Sequence, residues 1–321
     1  MQARLITNES IHCIEGDHMN KLMKLVNNPL LLYAIAAEHG LTNWLPDDVH
    51  LKMMYRASIG ERLDLENPKT YNEKLQWLKI HDRNPLCTML VDKYRVKQWV
   101  AEHVGEEHVT KTYAMWENAE DIDISCLPEQ FVLKTNHDCG GVAICRDRST
   151  FDLEMAKRKL SKHLKSNYFW RTREWPYKDV KPCVFAEEYL GSGLSSDIPD
   201  YKVNCFGGVP KLIEVHLGRS TNHTCDYYTS NWESLPEIQW ADLPKSINGV
   251  EKPACLNKML ELSSLLADGF PQVRVDWYIL GERLLFGELT FFNDGGFGCM
   301  DDQTAATLGS WIDLGLAYDN H

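Results

Sequence analysis

The sequence lacks the short motifs that mark the most common nucleotide-binding and hydrolytic enzymes. It contains no G-x-x-x-x-G-K-[ST], which excludes a P-loop. It also contains no G-x-G-x-x-G, which excludes the dinucleotide fingerprint and the Gly-rich loop of protein kinases. Because G-x-S-x-G and H-E-x-x-H are absent too, neither a nucleophile elbow nor a zincin helix is predicted. Any catalysis must therefore rest on residues dispersed along the chain.

Positive charge, paired cysteines and long apolar runs are also scarce. The formal charge of −12 argues against non-specific binding of nucleic acids. The ten cysteines form no C-x-x-C pair and no secretory signal is visible, so we expect reduced thiols and a cytoplasmic protein. The longest apolar stretch, 29–37, is too short for a transmembrane segment, which leaves only peripheral membrane contact open.

What the sequence does contain is a helical first third followed by short β-rich runs. Thr70 and Glu73 have the spacing of a capping box at the start of one predicted helix. Later runs such as VFAEEYL (184–190) and KLIEVHL (211–217) are separated by Gly turns, which favours antiparallel pairing. We therefore predict an α+β chain. Its expected divisions are a helical N-terminal region at 1–66, a central subdomain at 67–129, a third subdomain at 130–190 and a C-terminal subdomain at 191–321.

Residues 131–144 read FVLKTNHDCGGVAI, a pattern that predicts a strand, a Gly-containing loop and a second strand. One interpretation is a plain hairpin with Lys134 at its edge. The other is a loop whose backbone N–H groups hold phosphates together with that lysine. Taken alone, the string favours the hairpin.

The last two strand-like runs, VRVDWYIL and RLLFGELTFF, each carry one carboxylate among apolar residues. A three-residue loop at 281–283 would pair Leu280 with Leu284 and bring Asp276 opposite Glu288. The Cβ atoms of the two acids would then lie about 5 Å apart. A two-residue loop would place them on opposite faces.

Two facing carboxylates repel each other unless a cation lies between them. Mg²⁺ bridged to nucleotide phosphates is one such cation. The alternatives are two solvated acids, or a pair neutralised by Arg274. The residues alone leave these interpretations open.

Other candidate groups lie at the ends of predicted strands. The segment VFAEEYLG (184–191) is typical of a hinge that offers backbone groups to an adenine and an acid to a ribose hydroxyl. Lys202 opens one strand and Arg219 closes another, at positions where binding sites are often built. Arg219, Asn222 and His223 together offer several donors for anionic oxygens. For each cation the alternative is an ordinary surface charge.

Eight longer motifs carry a resemblance to a known family. They are NPKTYNEKLQWLKIHDRNPL (67–86), VDKYRV (91–96), LPEQFVLKTNHDCGG (127–141), REWPYKDVKP (173–182), AEEYL (186–190), DYKVNCFGG (200–208), STNH (220–223) and FGELTFF (286–292). In their amino-acid sequences and their order, these motifs resemble the TupA-like ATP-grasp family over about residues 50–312. That family is named for teichuronopeptide biosynthesis and is often found in bacterial cell-surface polysaccharide loci. The resemblance implies an ATP-grasp fold, in which two α+β subdomains with largely antiparallel sheets hold ATP between them. It makes 130–190 the lid and 191–321 the part with the metal site.

The resemblance also implies ATP and Mg²⁺ as cofactors and a role for each candidate residue. The cofactor-binding set would be Lys93, Lys134, Thr135, His137, Gly140, Gly141, Glu187, Glu188, Tyr189, Leu190 and Lys202. The catalytic set would be Lys202, Arg219 and Arg274, of which Lys202 and Arg219 would neutralise the γ-phosphate and the acyl-phosphate-like transition state. Substrate would be bound by Asn222, His223 and Asn293, and the metal ion by Asp276 and Glu288. Thr290 stands where many ATP-grasp enzymes have the asparagine of Glu-x-Asn, and threonine is a poorer metal ligand.

The implied activity is that of an ATP-dependent carboxylate–amine ligase that acts through an acyl phosphate. Its substrates would be small molecules, an amino acid and a glycan, peptide or nucleotide-sugar carboxylate such as a uronic acid. One rival is a sugar kinase of the same fold, with His137, Asp138 or His223 as its base. Others are a nucleotide-sugar glycosyltransferase and a non-enzymatic scaffold. The sequence leaves the exact substrates and the oligomeric state open.

Overall fold

The computed structural model describes residues 30–191, 198–219, 221–240 and 243–318, so positions 1–29 of the predicted N-terminal region lie outside the described residues. The helices there are α1 (Leu30–Glu38), α2 (Asp47–Ile59), α3 (Tyr71–His81), α4 (Leu86–Leu90), α5 (Val96–Val104), α6 (Leu153–Leu164), α7 (Phe169–Thr172), α8 (Leu256–Leu266) and α9 (Asp302–Trp311). The strands are β1 (Thr112–Trp116), β2 (Phe131–Thr135), β3 (Val142–Cys145), β4 (Val184–Glu188), β5 (Asp200–Phe206), β6 (Val209–Leu217), β7 (Thr224–Thr229), β8 (Gln272–Leu280) and β9 (Arg283–Thr290). None of these helices has the length and apolar character needed to cross a membrane.

Helix α3 begins where the capping-box pattern predicts. The Thr70 hydroxyl accepts a hydrogen bond from the Glu73 N–H at 3.3 Å, and Glu73 Oε2 accepts one from the Thr70 N–H at 3.0 Å. The capping box is therefore confirmed. Tyr71, Leu75 and Leu78 on the buried face of α3 enter the largest hydrophobic core, which they share with β5, β6, β8 and β9.

The first sheet is antiparallel and has the strand order β1-β4-β2-β3. Phe131 and Leu133 point to one face, where they pack with Leu160 of α6 in a separate core. The alternation of side chains along a strand sends Lys134 to the other face. Glu187 of β4 lies on that same face, because its cross-strand partner is two residues from Lys134. The first sheet thus places a lysine and a glutamate side by side.

The second sheet is also antiparallel and has the order β7-β6-β5-β8-β9. On one face, Val203 of β5 pairs with apolar residues of β6 and β8 and joins the core with α8. On the other face, Lys202 pairs with Glu214 on one side and with Asp276 on the other. Because cross-strand partners share a face, a row of ionisable side chains crosses the sheet there. The predicted α+β class with largely antiparallel sheets is confirmed.

The turn between β8 and β9 is shorter than predicted. Leu280 pairs with Arg283 rather than with Leu284, which leaves a two-residue turn at 281–282. The predicted three-residue loop and its Leu280–Leu284 pair are therefore wrong. Gly281 has a φ of +61°, in the left-handed region that such tight hairpin turns require.

A β-bulge in β9 compensates for the short turn. Val275 pairs with Leu289 and Trp277 pairs with Phe286, so β9 has two residues, 287 and 288, opposite the single Asp276. The extra residue reverses the alternation of side chains along β9. Glu288 consequently shares a face with Asp276, as predicted, although by a different route.

Candidate active site

The loop that joins β2 to β3 presents consecutive backbone N–H groups. Within the described residues, the five N–H groups from His137 to Gly141 donate to no backbone carbonyl, whereas those of Thr135 and Val142 do. Gly140 has a φ of +98°, which favours glycine. At Gly141 a Cβ would lie 1.8 Å from Thr135 Oγ1, so a larger residue does not fit. A run of N–H groups of this kind is suited to binding an anion.

The side chains of this loop face other protein groups. His137 is buried, and its Nε2 lies 3.1 Å from the Ser166 carbonyl oxygen. Asp138 accepts a hydrogen bond from the Thr135 hydroxyl and also pairs with His163 of α6. Two of the candidate residues, Thr135 and His137, therefore brace the loop with their side chains. A phosphate bound at this loop would contact its backbone N–H groups rather than these side chains.

Glu187 lies between two lysines at the inner face of the first sheet. Its Oε1 contacts Lys134 Nζ, and its Oε2 lies 2.5 Å from Lys97 Nζ of α5. The Thr110 hydroxyl donates to the same Oε2 at 3.1 Å. Burial alone would raise the pKa of Glu187, but the charges of Lys134 and Lys97 outweigh it and hold that pKa at about 2. Glu187 is thus ionised, and Lys134 keeps about a third of its side chain exposed.

The remaining hinge candidates point elsewhere. Both carboxylate oxygens of Glu188 bind the guanidinium of Arg283, at 2.8 and 3.1 Å, which joins β4 to the tip of the β8–β9 hairpin. The Tyr189 hydroxyl accepts a hydrogen bond from Arg146 Nε at 3.1 Å. Leu190 follows β4 and is half-buried. Of the two glutamates, Glu187 faces the lysines and Glu188 connects the two sheets.

Lys93 connects the β2–β3 loop to the second sheet. It lies between α4 and α5, where its backbone N–H donates to the Asn136 carbonyl at 2.9 Å. Its Nζ donates to the Asp138 carbonyl at 2.8 Å and lies 3.4 Å from Glu288 Oε2. The structure therefore places a cation beside the free N–H groups of the loop and beside a candidate metal ligand.

Lys202 and Arg219 meet at a shared carboxylate. Lys202 Nζ contacts Asp276 and lies 3.2 Å from Asp200 Oδ2. Arg219 Nη2 donates to the same Asp200 oxygen at 2.8 Å, with half of its own side chain exposed. The other oxygen of Asp200, Oδ1, is buried and has no hydrogen-bond partner among the described residues. Two of the three predicted catalytic cations, Lys202 and Arg219, are thus brought together on one edge of the polar face.

Arg274 bridges the two candidate metal ligands. Its Nε donates to Asp276 Oδ1 at 2.6 Å, and its Nη2 lies 3.4 Å from Glu288 Oε1. The same Nη2 donates to the Thr290 hydroxyl at 3.0 Å. Burial alone would raise the pKa of Glu288, but Lys93, Arg274 and Lys202 outweigh it and hold that pKa at about 2. Arg274 therefore neutralises Asp276 and Glu288 in the structure, which is one of the alternatives that the sequence left open.

The three predicted substrate-binding residues lie in different surroundings. Asn293 is buried and donates to Asn204 Oδ1 of β5 at 3.0 Å. His223 Nε2 lies 3.0 Å from His216 Nδ1, beside the polar face of the second sheet. Asn222 is exposed in the β6–β7 connection. The three residues thus differ in burial, from Asn293 in the interior to Asn222 at the surface.

The segment after β9 has an unusual backbone. Asp294 is exposed and has a φ of +51°, a value that few residues other than glycine adopt. Its Oδ2 accepts a hydrogen bond from Trp240 Nε1 at 3.3 Å. A Cβ on the neighbouring Gly295 would lie 3.3 Å from Glu174 Oε1, a buried oxygen without a hydrogen-bond partner among the described residues. Burial raises the pKa of Glu174 above its usual range. Two acids therefore lie close to this segment.

A comparison with protein-family models decides the classification. The model described as TupA-like ATPgrasp matches residues 73–313, about three quarters of the chain. The chain belongs to the TupA-like ATP-grasp family. The matched range of this TupA-like protein includes both sheets and every candidate residue named above. The ATP-grasp fold that the sequence predicts is thereby confirmed.

Solved structures with some likeness to this TupA-like protein include D-alanine-D-alanine ligases and an ATP-grasp ligase. A D-alanine-D-alanine ligase from Helicobacter pylori is 14% identical, with a TM-score of 0.42 over 75% of this chain and 69% of that one. The Bacillus anthracis D-alanine-D-alanine ligase complexed with ATP is 16% identical, with a TM-score of 0.37 over 72% and 64%. The ATP-grasp ligase PsnB, complexed with a minimal precursor, Mg and ADP, is 9% identical, with a TM-score of 0.37 over 68% and 57%. The chain thus spans less than two thirds of the latter two. No curated protein matches the sequence.

The sequence arguments missed several residues of this site. Lys97 follows Lys93 by four positions, the spacing of neighbours on a helix face, although in the structure Lys93 precedes the start of α5. Asp200 precedes Lys202 by two positions in a strand, so strand alternation also places them together. Both signals were present in the sequence. No local pattern marks Glu174, because only the folded chain brings it close to the segment after β9.

Proposed function

We propose that this TupA-like ATP-grasp protein is an ATP- and Mg²⁺-dependent carboxylate–amine ligase that acts through an acyl phosphate. The observation that supports it most is the series of charged side chains linked by Lys93. This lysine joins the free N–H groups of the β2–β3 loop to Glu288. Beyond Glu288, Arg274 and Lys202 continue the series across the second sheet. Phosphates placed along it would meet cations from both sheets.

The residues present fit ATP and Mg²⁺. Lys93, Lys134 and the loop N–H groups would hold the phosphates, and the carboxylates of Asp276 and Glu288 offer the oxygen ligands that Mg²⁺ prefers. Glu288 keeps about a third of its side chain exposed, and its contacts to Lys93 and Arg274 are both 3.4 Å. It is therefore easier to recruit than Asp276, whose two oxygens are bound by Arg274 and Lys202. When bound, ATP supplies the phosphoryl group and Mg²⁺ neutralises its charge.

Positioning and charge neutralisation are the work left to the protein. In the proposed reaction a carboxylate oxygen of the substrate would attack the γ-phosphorus, with ADP as the leaving group. The amine of the second substrate would then attack the acyl carbon, with inorganic phosphate as the leaving group, and would lose a proton to solvent. Lys202 and Arg219, held together by Asp200, would neutralise the charge on the transferred group. Arg274 would orient Asp276 and Glu288.

The substrates we propose are an amino acid and a uronic acid or peptide of a bacterial surface polysaccharide. The family's association with such polysaccharides supports the carboxylate partner. Asp294 supports an amine partner, because an exposed carboxylate in the segment after β9 would attract an ammonium group. A kinase activity has less support, because His137 and Asp138, two of its candidate bases, are bound by other protein groups.

Incubation with ATP, an amine such as glutamate or lysine, and a uronic acid tests the proposal. We expect release of ADP and phosphate only when both substrates are present, together with an amide product detected by mass spectrometry. A phosphorylated sugar as product would instead establish the kinase. Thermal protection by a UDP-sugar but not by Mg-ATP would overturn the ligase in favour of a glycosyltransferase.

A further inference from the structure

A second group of ionisable side chains lies on the polar face of the second sheet, outside the ATP and Mg²⁺ residues. Glu214 and His216 are two positions apart in β6, so both point to the same side. His216 pairs across the strands with Cys225 of β7. All three side chains are buried, and one ligand atom of each lies within 4.8 Å of the others. Strand geometry alone therefore concentrates a carboxylate, an imidazole and a thiol.

Two of the three distances between these ligand atoms are those of a metal site, and the third, between Glu214 and Cys225, is within 4.8 Å. His216 Nε2 lies 3.6 Å from Glu214 Oε2 and 3.7 Å from Cys225 Sγ. Zinc binds nitrogen and oxygen at about 2.1 Å and sulfur at about 2.3 Å in a tetrahedron, which puts neighbouring ligand atoms roughly 3.4–3.6 Å apart. A zinc ion would therefore match the distances from His216 to Glu214 and to Cys225.

Polar neighbours orient two of the three groups. His216 Nδ1 lies 3.0 Å from His223 Nε2, which leaves the opposite ring nitrogen, Nε2, directed at the other two ligands. Glu214 Oε1 accepts a hydrogen bond from Asn204 Nδ2 at 2.7 Å, which leaves Oε2 for a metal ion. Metal-binding histidines and carboxylates in proteins usually have such a partner on the atom that does not bind the metal.

The chemistry of the donors selects the ion. A thiol and an imidazole are soft or borderline ligands that suit Zn²⁺ and disfavour Mg²⁺, which takes oxygen ligands. Burial raises the pKa of Cys225 to about 12, so the thiol is protonated until a cation displaces its proton.

We propose that Glu214, His216 and Cys225 form a binding site for one Zn²⁺ ion, separate from the Mg²⁺ site. Binding forms one bond to each ligand atom and releases the thiol proton to solvent. Three protein ligands leave the fourth position to water or a substrate group, the arrangement typical of zinc sites that take part in chemistry. Glu214 pairs across the strands with Lys202, so the three proposed ligands lie next to one of the proposed catalytic cations.

Metal analysis of the purified full-length chain tests this site. Metal is first removed by a chelator and Zn²⁺ is then added back. We expect the protein to retain one equivalent of Zn²⁺ through gel filtration. Co²⁺ in its place should give the near-ultraviolet absorption band of a cobalt–thiolate bond. X-ray absorption of the zinc form should show one sulfur at about 2.3 Å and nitrogen or oxygen ligands at about 2.0–2.1 Å. These three measurements use the unsubstituted chain, so they test the site even if a substitution prevents folding.

Matched cysteine variants identify the ligand. Cys225→Ser should lose the cobalt–thiolate band and at least 90% of the bound zinc, and His216→Gln should lose the zinc likewise. Cys205→Ser, at another buried thiol that lies against backbone carbonyl groups, should retain both signals. Cys126→Ser, at an exposed thiol, should retain them too. A wild-type protein that retains no zinc, a cobalt spectrum without the thiolate band, or full binding by a folded Cys225→Ser would overturn the proposal.

Discussion

Asp276 and Glu288 lie on the same face of adjacent strands and share the guanidinium of Arg274. Facing carboxylates repel each other, and here one cation offsets that repulsion for both. Lys202 adds a second contact to Asp276, and Lys93 adds one to Glu288. Of the two acids, Glu288 has the longer and more exposed contacts. A bound Mg²⁺ would therefore replace existing ion-pair contacts mainly at Glu288.

The dependence of activity on Mg²⁺ concentration tests this assignment. We expect Glu288→Gln to raise the Mg²⁺ concentration for half-maximal ADP release at least about tenfold, because an amide is a weaker ligand than a carboxylate. Glu282→Gln, an exposed acid in the turn of the same hairpin, should leave that concentration unchanged. Equal Mg²⁺ dependence in Glu288→Gln and wild type would remove Glu288 from the metal site.

Lys134 is the cation to substitute on the first sheet. We expect Lys134→Ala to lower kcat/KM for ATP by about 100-fold, the loss that follows removal of one preorganised charge partner. The fold should persist, because Glu187 keeps Lys97 and Thr110 as partners. Circular dichroism checks the fold and ADP release checks the activity, with Lys162→Ala on the exposed side of α6 as control. Unchanged turnover would contradict the assignment of Lys134 to phosphate binding.

The shared face of Asp276 and Glu288 shows what strand alternation can and cannot predict. The prediction of a common face was confirmed, but it rested on a three-residue loop that does not exist. A two-residue turn and a bulge at Gly287 give the same parity. Alternation depends only on the number of residues between two positions, so a bulge in a strand and a longer loop cannot be distinguished from sequence.

The residues of the candidate site also divide into those that the sequence could place and those whose partners it could not predict. Residues that sit on regular strands and helices, such as Lys134, Glu187 and Lys202, could be placed by periodicity once the family was recognised. The partners of His137 and Asn293 could not, because they come from segments distant in the chain, Ser166 and Asn204. Such long-range contacts depend on tertiary packing, which no local pattern encodes.

The bulge itself makes a prediction about stability. A Cβ at position 287 would lie 3.2 Å from the Asp276 carbonyl oxygen and 3.1 Å from the Tyr278 ring. We expect Gly287→Ala to lower the free energy of unfolding by about 1 kcal/mol and Gly287→Val by about 2–3 kcal/mol, because the strands must separate. Urea unfolding measures both values. Glu282→Ala in the adjacent turn is the control, and a fully stable Gly287→Val would show that the bulge tolerates a side chain.

The ion pairs of Glu187 predict how stability depends on pH. The pKa of Glu187 is about 2 in the folded chain, against about 4.3 for an unfolded glutamate, so its ionised form favours folding. This stabilisation, about 3 kcal/mol at pH 7, is present above the unfolded pKa and is lost as the pH falls from about 5 to about 2.

Glu187→Gln removes the titrating group and leaves Lys97 and Lys134 without their carboxylate. Urea unfolding should therefore show a variant less stable than wild type at pH 7, with the difference shrinking towards pH 2. Glu154→Gln, at an exposed acid of α6, should track wild type throughout. A Glu187→Gln curve parallel to wild type would mean that the two lysines do not depend on this carboxylate.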